Sequence, residues 1–148
     1  MTSVTDDAVA LERAIHLALR AHWGQVYPSP DEEPFILHPL RVMLSVGETE
    51  AQIVAVLHDV VEDTEVTVEE LRAEGLPEDL VAAVVALTRR DGMAYDEYIE
   101  QVAQDPIARK VKAADIADNL ANNRRLPAAP EVAARIARYE RALLRLNQ

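Results

Sequence analysis

In Ile53-Val54-Ala55-Val56-Leu57-His58-Asp59-Val60-Val61-Glu62-Asp63-Thr64 an unbroken apolar run gives way within one residue to histidine and acid. The run is rich enough in Ala, Val and Leu to be a buried helix, and the spacing predicts a helix from about Glu50 through the His58-Asp59 pair. Positions three and four apart share a helix face, so Glu62 falls beside His58, and Glu62 and Asp63 fall beside Asp59. Four hydrophilic groups able to bind a cation thus leave an apolar segment together. Burying them without a cation would be costly, which points to metal chemistry. The alternative is an acidic helix end in water.

The same helical period recurs along the chain, and no segment alternates with period two. Thr5 can cap a first helix that continues to about Trp23, with Asp6 and Asp7 at its positive end. Gly24 to Pro34 reads as a loop broken by Pro28, Pro30 and Pro34. A short helix follows from about Leu37 and stops at Gly47. Thr67-Val68-Glu69-Glu70 is a capping box opening a helix that ends at Gly75. Pro77 suits the first turn of the next helix, which runs to about Thr88. Tyr95 to Gln104 is helical, and Asp105-Pro106 is an N-cap followed by proline at the first helical position. The last helix starts near Pro130. It presents Val132, Ile136, Tyr139, Leu143 and Leu146 as a core stripe, with Arg135, Arg138, Arg141 and Arg145 as a solvated row or a self-association surface. The expectation is an all-α bundle forming one domain over residues 1–148.

Composition agrees with that class. The chain is 49% hydrophobic but only 4% aromatic, with Ala, Val and Leu dominant, and β-sandwiches usually carry more Tyr, Phe and Thr. It has no cysteine, so any metal must sit on histidine and carboxylate. The formal net charge of −11 argues against a general nucleic-acid binder, which needs the opposite sign to neutralise phosphates. A small phosphate ester remains compatible, because a bound cation and a few Arg or Lys side chains can invert the local field. The apolar runs are too short to span a bilayer and the acidic N-terminus lacks a signal-peptide pattern, so a cytoplasmic protein is expected.

Three segments offer ligands: His38 before Pro39 at a helix start, then His58 with Asp59, then Asp115 in Val111-Lys112-Ala113-Ala114-Asp115-Ile116-Ala117-Asp118-Asn119. Two imidazoles and two carboxylates form a mixed N/O set that suits Mn²⁺, Fe²⁺ or Zn²⁺ better than Ca²⁺. Each residue also has a plainer reading. His38 could cap a helix, Asp115 could pair with Lys112 or Arg109, and His22 reads as a structural histidine. Tyr95 and Tyr98 read as packing residues, and Asp118 as a surface or supporting group rather than a fifth ligand.

The motifs resemble those of the HD-domain phosphohydrolases, and within them the (p)ppGpp hydrolase domains of the RelA/SpoT type. The matching pieces are Ala21-His22-Trp23-Gly24-Gln25, Pro34-Phe35-Ile36-Leu37-His38-Pro39-Leu40, Leu57 to Thr64, Leu87-Thr88-Arg89, and Val111 to Asp115 with Asn119. They keep the family's order and span roughly residues 8 to 126. The resemblance implies that His38, His58, Asp59 and Asp115 bind one divalent ion, usually Mn²⁺. It implies that Glu62 and Asp63 orient or deprotonate the attacking water, and that Asn119 contacts a phosphorylated nucleotide. Lys112 and Arg124 are further candidates for the phosphate.

Two departures from the pattern bear on substrate. Where the family has a basic residue after Gly-Gln, this chain reads Val26-Tyr27-Pro28-Ser29-Pro30. The usual His before the Asn is Asp118, and the Arg two residues after it is Ala121. The resemblance therefore implies a hydrolase with guanosine 3′,5′-bis(diphosphate) as leading substrate. Another nucleotide, NADPH, or a metal-bound nucleotide sensor without turnover are the alternatives, and a homo-oligomer is compatible with any of them.

Overall fold

Burial decides the arrangement, and the helix after Gly47 is its centre. In the computed structural model, which describes residues 4–148 and their side chains from Asp6 onward, this helix spans Thr49–Leu57 (α3). Ala51 and every residue from Ile53 to Leu57 are buried, so the C-terminal half of α3 is apolar all round, as a segment enclosed by other helices must be. Before it come α1 (Val4–Ala21) and α2 (Leu37–Ser45); after it come α4 (Val60–Asp63), α5 (Val68–Ala73), α6 (Glu78–Ala86), α7 (Tyr95–Ala103), α8 (Pro106–Asn123) and α9 (Pro130–Leu146). Helices α1, α2, α6 and α8 all pack on α3, while α9 lies across α7 and α8. The fold is all-α, and among the described residues the extended pairing is one isolated antiparallel bridge, Val26 with Pro34. No helix among the described residues is long and apolar enough to cross a membrane.

The local signals act where their side chains can reach. Thr67 accepts from the Glu70 amide at 3.2 Å while the Glu70 carboxylate receives the Thr67 amide at 3.4 Å, closing the capping box. Asp105 accepts from the amides of Ile107 and Ala108 at 3.0 and 2.9 Å, and Pro106 opens α8. Pro77 stands at the N-cap of α6, one position before the first turn expected of it. The cap expected at Thr5 falls on a side chain outside the described ones.

Two expectations are corrected. The helix expected to run through His58-Asp59 ends at Leu57, those two residues form a turn, and α4 restarts the chain at Val60. The loop expected from Gly24 to Pro34 is present and folds back on itself, with Tyr27 donating its amide to Glu33 and Phe35 donating to Gln25 at 2.9 and 2.8 Å. Gly24 makes its entry turn with φ +84°, a value that side-chain-bearing residues rarely adopt. The arginine row of α9 is only partly solvated. Arg135 donates to Asn123 at 3.0 Å, Arg138 is half-buried with its guanidinium 4.4 Å from the Tyr95 ring centre, and Arg145 pairs with Glu100.

Candidate metal centre

Helices α2, α3 and α8 pack against one another in pairs, and each brings one end of a cluster. His38 sits in the first turn of α2, His58 and Asp59 leave the C-terminus of α3, and Asp115 lies midway along α8. One ligand atom from each lies within 4.8 Å of all the others. His38 Nε2 is 2.8 Å and His58 Nε2 is 3.1 Å from Asp115 Oδ1. Asp59 Oδ2 is 3.1 Å from His58 Nε2 and 3.7 Å from His38 Nε2.

Both rings are held from outside the cluster through Nδ1. His58 Nδ1 donates to the Ala55 carbonyl at 2.5 Å, and His38 Nδ1 meets the Asp118 carboxylate at 2.7 Å. A histidine whose Nδ1–H is used outward presents the Nε2 lone pair inward, which is how metal-binding histidines are held. The donor set, two imidazole nitrogens and two carboxylates, fits a divalent first-row ion or zinc. The residues His38, His58 and Asp115 are only 2–3% exposed.

Electrostatics agree that the pocket selects positive charge. Burial alone would lower the pKa of His38, but its hydrogen bonds to Asp115 and Asp118 carry it up to about 9. His58 is likewise driven down by burial and up, with the larger net effect, by Asp59 and Asp115. Burial pushes Asp115 upward, yet Lys112 and His58 hold it well below the usual carboxylate range. The arrangement of two carboxylates around the two imidazoles favours a positive charge between them.

Asp59, Glu62 and Asp63 form a second group whose ligand oxygens lie within 4.8 Å of one another, at the outer edge of the first. Glu62 accepts the Arg89 amide at 2.7 Å, which fixes its carboxylate. Asp63 is anchored through its main chain, whose carbonyl accepts from Gln25 Nε2 at 3.0 Å. Lost hydration first, then Asp59 and Glu62, raise Asp63 to about 6. Behind Gln25, its Oε1 receives His22 Nδ1 at 2.8 Å. His22 is buried against Phe35, that burial pushes its pKa down, and its Nε2 has no partner among the described residues.

The remaining candidates divide. Lys112 Nζ binds Asp115 Oδ2 at 2.8 Å and lies 5.1 Å from the Tyr98 ring centre. Asn119 Nδ2 donates to Asp115 Oδ1 at 3.3 Å. Arg124 is not at the centre: its guanidinium reaches Glu140 at 3.3 Å on an exposed face shared by α8 and α9. Tyr98 is buried and donates to the Leu87 carbonyl at 2.6 Å, a packing role.

Two residues at the centre carry no signal in the linear pattern. Tyr27 lies parallel to the His38 ring, 4.9 Å between centroids and 9° between planes, and donates to Asn119 Oδ1 at 2.6 Å. Arg41 grips both oxygens of Asp118 at 2.7 and 3.0 Å. Beside them opens a cleft of about 660 Å³ lined by Tyr27, Asn119, Asn122, Asn123, Arg135 and Tyr139.

No family model matches the chain. A probable GTP pyrophosphokinase of Mycobacterium leprae is 36% identical in an alignment that covers 86% of this chain and 17% of that protein. The guanosine-3′,5′-bis(diphosphate) 3′-pyrophosphohydrolase of Aquifex aeolicus is 32% identical over 76% of this chain and 18% of its own length. The zebrafish guanosine-3′,5′-bis(diphosphate) 3′-pyrophosphohydrolase MESH1 is 39% identical in an alignment that covers 45% of this chain and 39% of its own length. The chain thus spans less than a fifth of the long curated relatives it first matches. In three dimensions it superimposes on a metazoan SpoT ortholog that hydrolyses ppGpp, with a TM-score of 0.71, 22% identity, and coverage of 99% of this chain and 95% of that one.

Proposed function

We propose that this chain, which belongs to the HD-type family of the ppGpp 3′-pyrophosphohydrolases, is a metal-dependent phosphohydrolase that removes the 3′-pyrophosphate of guanosine 3′,5′-bis(diphosphate). The observation that carries the reading is the four-residue cluster, with Nδ1 of both histidines engaged outward and both Nε2 atoms turned on two carboxylates. His38, His58, Asp59 and Asp115 would hold one divalent ion, Mn²⁺ suiting a hard, mixed N/O set. When bound, such an ion supplies Lewis acidity to a phosphoryl oxygen and to water.

The chain's own residues do the rest. Asp63, with its pKa of about 6, is ionised at neutral pH and placed to take a proton from the attacking water. Glu62, fixed by the Arg89 amide, orients that water. Water oxygen bonds to the phosphorus next to the 3′ oxygen, that P–O bond breaks, and the 3′ oxygen takes up a proton. The products are GDP and pyrophosphate. Lys112 and Asn119 flank Asp115 on α8, and each would exchange a contact with Asp115 for one with a substrate phosphate. The cleft beside Asn119 is of the size small-molecule sites have.

One observation favours a second substrate. Tyr27 stands in the loop where the resembling family has a basic residue, and its hydroxyl is committed to Asn119. Another nucleotide, or NADPH, would keep the same chemistry. The presence of both Glu62 and Asp63 speaks against a sensor without turnover. Product analysis of the Mn²⁺-loaded protein against ppGpp, other nucleotides and NADPH, with Asp59→Ala as control, tests the reading. Metal-dependent pyrophosphate release from ppGpp is expected. Turnover of a different panel member would replace the substrate, and ion binding without any product would support the sensor.

A further inference from the structure

The two histidines of the centre are held outward by different partners. His58 Nδ1 meets a neutral main-chain carbonyl, that of Ala55. His38 Nδ1 meets a carboxylate, Asp118 Oδ2, at 2.7 Å. That carboxylate does not float: Arg41 Nε binds its Oδ1 at 2.7 Å and Arg41 Nη2 its Oδ2 at 3.0 Å. Arg41 continues to Glu33 at 2.7 Å, in the folded loop. Arg41 also lies over the Tyr27 ring, 5.5 Å from its centre, and Tyr27 in turn stacks on His38. A chain Glu33–Arg41–Asp118–His38 therefore runs from the loop to the centre, and it exists because position 118 is Asp.

We propose that Asp118 is a positioning residue that aims His38 Nε2 at the ion and sets the affinity of the centre for it, and that Arg41 acts on the centre only through Asp118. The proposal rests on the reading of His38 as a ligand. The physical reason is twofold. A carboxylate accepting Nδ1–H fixes the tautomer and ring angle, and its negative charge makes the opposite nitrogen a better donor to a cation. Planar, two-point contact with a guanidinium keeps that carboxylate ionised and in one orientation, which a single contact would not. His58, bound to a neutral carbonyl, lacks this help, so the two imidazoles contribute unequally.

The test is direct Mn²⁺ binding to metal-free protein by calorimetry, on wild type, Asp118→Asn, Arg41→Met and the double variant. Carboxylate partners of this kind change metal affinity by about 10–100-fold, so Asp118→Asn is expected to raise the Kd by at least about tenfold. Arg41→Met should raise it less, and should add nothing in the Asp118→Asn background. Asp118→Glu, which restores the charge, should recover part of the affinity. The visible absorption of the Co²⁺-substituted protein should change in Asp118→Asn, because the environment of a ligand nitrogen has changed, whereas general loosening of the fold would show as a lower Tm of the metal-free protein. Wild-type affinity in Asp118→Asn would overturn the proposal while leaving the metal centre intact. Equal, additive losses from both substitutions would also overturn it, since Arg41 would then act by another route. A wild-type protein that binds no Mn²⁺ would overturn this proposal and the ligand reading together.

Discussion

Tyr27 donates its hydroxyl to Asn119 Oδ1 at 2.6 Å, joining the loop after α1 to α8 across 92 positions of sequence. The same ring stacks on His38, so one side chain sets both a proposed ligand and a proposed phosphate contact. Removing only the hydroxyl separates these roles. Tyr27→Phe keeps the stack and leaves the Asn119 oxygen without its donor, at an expected cost of about 1–2 kcal/mol. Denaturant unfolding measures it. Mn²⁺ affinity should stay near wild type, and an unchanged stability would show that the bond does not hold the loop.

The paired acids should be separable from the ion. Glu62→Gln and Asp63→Asn are each expected to lower kcat by about 10²–10⁴-fold, the usual range for a lost acid or base. Metal content measured on the same samples should not change. Loss of the ion in either variant would make that residue a ligand instead.

Asp63 gives the account a pH signature. Its pKa is raised from 3.8 to about 6, by burial first and then by Asp59 and Glu62. The native state therefore holds this proton more tightly than the unfolded chain. Between those two values the group's contribution to stability falls as pH rises, and above about 6 the ionised carboxylate is carried as a cost. Carbon NMR titration of the metal-free protein should find one aspartate carboxyl titrating near 6 that vanishes in Asp63→Asn. Ordinary titration of every aspartate outside the ligand cluster would contradict it.

Far from the centre, Thr67→Ala should break the capping box of α5 without touching chemistry. The expected loss is about 1 kcal/mol, or roughly 2–4 °C in Tm for a chain of this size. Thermal unfolding checks it, and kcat should be unaffected.

What could be read from the sequence was local or periodic. Thr67 with Glu70, and Asp105 before Pro106, act within one turn, so their spacing alone announced them. Burial of Ile53 to Leu57 followed from an apolar run too long for a surface. The break at His58-Asp59 was hidden because Val60 and Val61 continue the apolar character, and nothing like proline or glycine marks the turn. Tyr27 and Arg41 were hidden for a different reason: their partners Asn119 and Asp118 lie 92 and 77 positions away. Arg124 looked suitable by its distance from Asn119 along the chain, but it projects to Glu140 on another face. The half-buried guanidinium of Arg138 depends on Tyr95, an aromatic from a different helix.

The most direct measurement is a Mn²⁺ titration of metal-free protein, following pyrophosphate released from ppGpp at each addition. Activity is predicted to start from zero, rise in proportion to ion bound, and level off at one equivalent per chain, with Asp59→Ala flat throughout. Release of pyrophosphate before any ion is added, or in Asp59→Ala to the same extent as wild type, would contradict the metal-centred account.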